Sequence, residues 1–153
     1  MDENNSYQAI ANQDLRAAEL MFNAGLWNHS VRHCQQYVEK ILKACIELNG
    51  DSTKDYMILH SHIVQSLANR CEELTRIKFA LEDKRWLRTM TSYYFDVNYP
   101  GARYISIDHD EAAEVYRKTV DFKSGYENHL TKRLDSDTTD EIQISDDPYK
   151  KPE

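Results

Sequence analysis

Apolar residues recur at helical spacing along most of the chain, most densely from Leu26 to Leu48. At 100° per residue, Trp27, Val31, Cys34, Val38, Ile41, Cys45 and Leu48 share one face. Leu26, Tyr37, Leu42 and Ala44 widen that face, and no Gly or Pro interrupts it. The other side carries His29, Arg32, Gln36, Glu39, Lys40, Lys43 and Glu47. So broad an apolar side needs neighbours on several flanks, which predicts the central helix of a bundle.

The same periodicity places the remaining elements. A first helix is predicted over about Gln8 to Ala24, with Leu15, Ala18 and Phe22 on its stripe and Gly25 as its stop. The short connection to the central helix makes the two antiparallel neighbours. After the Asn49-to-Thr53 loop signal, Ile63, Val64, Leu67, Cys71, Leu74, Ile77 and Leu81 predict one long helix from about Tyr56 to Leu81. His60 and His62 fall near its start and read as local hydrogen-bonding residues. Asp83 can cap a fourth helix, rich in aromatic residues, that ends at Tyr99-Pro100-Gly101. Asp108-His109-Asp110-Glu111 has capping-box spacing and opens a last helix reaching Leu130 and Leu134. Gly125 weakens its middle by about 1 kcal/mol relative to Ala. Arg103-Tyr104-Ile105-Ser106-Ile107 alternates but is too short to build a sheet. The expected fold is all-α: an up-and-down antiparallel bundle of four long helices plus one shorter helix.

Composition refines this picture. The 153 residues suit one domain, read as 1–134, with a tail over 135–153. That tail holds seven acidic and two basic residues and therefore supplies −5 of the net charge of −7. The rest is near neutral, which excludes strong non-specific attraction to DNA but leaves room for a local basic patch. The tail is expected to be mobile, with backbone mimicry or partner docking as the alternative. No apolar run approaches a membrane span, and Met-Asp-Glu-Asn-Asn-Ser lacks the features of a signal peptide. Cys34, Cys45 and Cys71 each fall within a helical pattern and read as core residues of a cytoplasmic protein.

The polar side of the central helix is the first candidate for chemistry. His29, His33, Gln36 and Lys40 follow one another at i, i+4, i+7 and i+11. Such a stripe is either an ordinary solvated face or a binding surface. Two His four apart can grip zinc only with further ligands, and no HExxH or CxxC accompanies them, so no metal site is expected. No cofactor is expected either.

The run His33-Cys34-Gln35-Gln36-Tyr37-Val38-Glu39-Lys40, followed by Leu42-Lys43-Ala44, resembles the signature of HEPN domains, the higher eukaryotes and prokaryotes nucleotide-binding family. Asn23 to Trp27, Ser61-His62 and Tyr94 to Gly101 resemble other family segments in the right order. The resemblance covers roughly residues 8 to 134. It implies a helical bundle, commonly a homodimer, often beside a minimal nucleotidyltransferase partner in toxin–antitoxin or defence-type pairs. Its ligand-binding surface would comprise His29, His33, Gln36, Lys40 and Lys43.

Some members are metal-independent ribonucleases that use an Arg followed four to six residues later by His. The Arg stabilises the phosphorane while the His acts as general acid or base. Only Arg103 and His109 have that order and location here. Tyr104 replaces the usual Asn after the Arg, and Asp110-Glu111 would repel a phosphate. The resemblance therefore implies a non-catalytic module binding a nucleotide, RNA or a nucleotidyltransferase. The alternatives are a ribonuclease toxin using Arg103 and His109, and a purely structural interaction scaffold.

Overall fold

The computed structural model describes residues 3–134 and 142–143. Ser6 accepts a hydrogen bond from the Ala9 amide and starts helix α1 (Tyr7–Asn23). Gly25, at φ 77°, reverses the chain through the left-handed conformation. Helix α2 (Trp27–Asn49) follows at once. A one-turn helix α3 (Tyr56–Leu59) precedes α4 (Val64–Leu74), strand β1 (Ile77–Lys78), α5 (Leu81–Asp96) and α6 (His109–Leu130). Strand β2 (Ile142–Gln143) pairs in parallel with β1.

Helix α2 touches every other long helix, as its broad apolar face predicts. Val31, Cys34, Val38, Ile41 and Cys45 are fully buried, beside Leu67, Cys71, Leu87, Met90 and Leu130. All three cysteines are free and buried. Pairing across the core gives the directions. Asp14 meets His33 and Lys40, so α1 runs against α2. Val64 meets Thr91 while Glu72 meets Lys84, so α5 runs against α4. Tyr93 meets Glu111 while Asp83 meets Tyr126, so α6 runs against α5. The architecture is the expected all-α antiparallel packing.

Three boundaries differ from the sequence reading. The single helix expected from Tyr56 to Leu81 is two helices, because side chains take over the backbone partners around residues 60–63. The His60 ring bonds the Tyr56 carbonyl, Ser61 Oγ accepts from the Ile63 amide, and Thr91 Oγ1 accepts from the Val64 amide. The expected helix also stops at Leu74. Thr75 Oγ1 accepts from the Ile77 amide and Glu72 from the Phe79 amide, which draws the chain into an extended segment. Ile77 and Phe79 are buried there while Lys78 is exposed, a period of two. Leu81 consequently leaves the core stripe and is exposed.

At the start of α5 the cap is Ala80, and Asp83 lies in the first turn, where it accepts from the Tyr126 hydroxyl. The last helix stops at Leu130, four residues short of Leu134, whose amide instead donates to Asn49 Oδ1 at 2.7 Å. Apart from 142–143, the expected mobile tail lies outside the described residues.

Candidate functional site

The polar side of α2 is covered rather than solvated. Helix α1 crosses half of it, and Asp14 sits between two members of the His-Gln-Lys stripe. Its Oδ1 lies 2.9 Å from His33 Nδ1, and its Oδ2 accepts from Lys40 Nζ at 2.5 Å. Burial alone would raise the Asp14 pKa, but the hydrogen bonds from His33 and Lys40 outweigh it and hold the carboxyl below its ordinary range. Gln36 donates to Gln35 Oε1 at 2.7 Å.

On the neighbouring flank a second carboxylate, Glu39, is almost wholly buried. Gln35 Nε2 lies 3.4 Å from it, Lys43 Nζ 3.3 Å, and His62 Nδ1 3.0 Å. A buried carboxylate with three such neighbours is satisfied, and loss of one would leave an uncompensated charge. The His62 ring stacks on Tyr94, with centroids 4.1 Å apart and planes at 11°. Burial raises the Tyr94 pKa, helped by a hydrogen bond with Tyr99 and by Glu39, against the nearby Arg32. Four of the expected binding residues are thus engaged within the fold: His33 and Lys40 with Asp14, Lys43 with Glu39, and Gln36 with Gln35.

The uncommitted cations lie at one end of the bundle, where α2 begins and α5 ends. His29, Arg32 and Arg103 are exposed, and none makes a hydrogen bond or ion pair among the described residues. Asn28 fixes the loop that carries Arg103. Its Nδ2 donates to Tyr104 Oη at 3.1 Å and to the Ile105 carbonyl at 2.8 Å, and its Oδ1 accepts from the Ile107 amide at 2.7 Å. Tyr99 and Tyr104 are half-exposed beside these cations. Cations and aromatic faces held together in this way suit a nucleotide or single-stranded RNA, through phosphate contacts and base stacking.

His109 is the first residue of α6, behind the Asp108 cap, whose carboxylate accepts from the Glu111 amide at 2.8 Å. Its ring packs against Phe22 and Trp27, with centroids 5.3 and 5.2 Å away. Nδ1 lies 3.0 Å from Asp110 Oδ1, an orientation that points Nε2 outward. No hydrogen bond or ring contact joins His109 to Arg103 within the chain. Its polar neighbours are carboxylates: Asp108, Asp110 and, one turn on, Glu111.

Two open cavities of about 300 and 480 Å³ lie along the α5–α6 groove and share Glu82, Trp86 and Lys118. Their charges are largely paired internally, Lys118 with Glu114 and Arg117 with Asp121. Among the described residues no cluster of three or more His, Cys, Asp or Glu is placed to hold a metal ion. No helix there is long and apolar enough to cross a membrane.

Asp14, Asn28, His62 and Tyr94 shape this surface, and the sequence did not single them out as a set. Asn28 carries no local signal, since its partners are 76 to 79 residues away. A family model described as "HEPN domain" matches residues 6–124. No curated protein and no solved structure matches the chain.

Proposed function

The chain belongs to the HEPN domain family, and from that premise we propose that it is a non-catalytic binding module for a nucleotide or single-stranded RNA. The observation that carries this reading is the separation of charge at the α2 end of the bundle. His29, Arg32 and Arg103 stand uncommitted beside Tyr99 and Tyr104, whereas His109 sits among carboxylates. Phosphates are attracted to the first group and repelled from the second. His33, Lys40 and Lys43 support the surface from below, by anchoring α2 to α1 and to Glu39. Homodimerisation and pairing with a nucleotidyltransferase in a toxin–antitoxin or defence-type unit belong to the same proposal, on the strength of family membership.

The test is binding of a single-stranded RNA oligonucleotide, followed by fluorescence anisotropy. Arg32→Ala with Arg103→Ala should weaken binding and flatten its salt dependence. Unchanged affinity and salt slope would overturn the assignment of this surface.

One observation favours the ribonuclease reading: the His109–Asp110 contact orients the imidazole as a general acid or base requires. That reading expects RNA degradation in EDTA, abolished by His109→Ala with the fold intact. Intact RNA after incubation removes it.

A further inference from the structure

Strand β1 presents one free edge. The Ile77 and Phe79 amides point inward, to Thr75 Oγ1 at 3.1 Å and Glu72 Oε2 at 2.9 Å. Successive amides of an extended chain face opposite sides, so the Lys78 N–H faces outward. The parallel partner on that side is Ile142–Gln143, in register with Ile77 and Lys78. Eight residues separate Leu134 from Ile142, which can span up to about 26 Å, ample for a strap across this end of the bundle.

A second observation concerns charge. Arg76 immediately precedes the strand, and its Nη1 is buried without a hydrogen-bond partner. An unpartnered buried donor of this kind marks a place for an acceptor. The segment reaching β1 comes from the most acidic part of the sequence: five of the six acidic residues nearest β2 stand between Asp137 and Asp147.

We propose that the outer edge of β1, with Arg76 beside it, is a strand-docking site for an acidic segment carrying a short apolar stretch, occupied in cis by the chain's own 142–143. The backbone of β1 supplies the register, and Arg76 supplies the preference for an acidic strand. The occupant is tethered at Leu134, which Asn49 holds in place. Its effective concentration is therefore high, and the edge is kept from pairing with other chains.

Amide hydrogen exchange at Lys78 in the full chain tests this. Ile142→Pro removes a backbone donor from the occupant and disfavours its pairing. Exchange at Lys78 should accelerate about two- to tenfold, the range of one net backbone hydrogen bond, with core amides unchanged. Equal Lys78 protection in wild type and variant would overturn the docking site. Protection in the wild type should not depend on protein concentration; protection that rises with concentration, together with a larger species, would assign the strand to a second copy and overturn the cis occupant. Arg76→Met should lower protection and remove its salt dependence. If that variant keeps both, the charge preference is refuted.

Discussion

Replacing Asp14 by Asn tests whether the polar stripe of α2 is a structural clamp. The carboxylate side chain is 12% exposed, and its partners His33 and Lys40 are 26% and 21% exposed. A hydrogen bond to a charged group contributes about 1.5–3 kcal/mol, and a solvent-exposed ion pair only about 0–1. This site lies between those limits, and Asn can still accept one of the two bonds. The expected loss is therefore about 1.5–2.5 kcal/mol at pH 7, read as a lower urea midpoint at unchanged slope. The pH dependence follows from the lowered Asp14 pKa. Its contribution is complete above the unfolded value of about 3.9 and is lost as pH falls through the lower folded value. The gap between wild type and Asp14→Asn should therefore shrink below about pH 3. A gap under about 0.5 kcal/mol at pH 7, or one that stays constant into acid, would refute the clamp.

Three further outcomes follow from the packing. Leu67 is fully buried between α4 and the core, so Leu67→Ala should cost about 2–5 kcal/mol in urea unfolding; a change near zero would mean α4 is in the wrong register. Asn28→Ala removes all three bonds that hold loop 101–107, so limited proteolysis near Arg103 should quicken while overall stability falls by about 1–3 kcal/mol; unchanged cleavage would show that the loop is held elsewhere. Burial pushes the Cys34 thiol up to about 12 and the Cys71 thiol well above its ordinary value, so iodoacetamide at pH 8 should label neither until the protein is unfolded.

How far the sequence reaches can be judged from particular residues. The apolar face of α2 was fully legible, because periodicity and burial report the same thing there. The Asp14 clamp was legible in principle. Asp14 precedes Gly25 by eleven residues, and His33 and Lys40 follow it by eight and fifteen, so an antiparallel hairpin sets Asp14 between them. The break at residues 60–63 and the turn at 75–79 were not legible. Each depends on Ser, Thr, His or Glu side chains capturing backbone groups, against a background of apolar residues that helical and extended chains can both bury. At the candidate site the residue types were visible, but not their commitments. His29 and Lys40 look alike on a helical wheel, yet one is exposed without a partner among the described residues and the other is locked to Asp14.

The central claim is that the α2 end of the bundle binds RNA or nucleotide without cutting it. The most direct measurement follows both properties in one sample: a labelled single-stranded RNA, titrated with the full chain in EDTA across a salt series, then checked for length. The account predicts saturable binding, a log–log salt slope shallower by about one unit in the Arg32→Ala, Arg103→Ala double variant, and RNA of full length throughout. Cleavage that disappears in His109→Ala, or binding indifferent to both arginines, would contradict it.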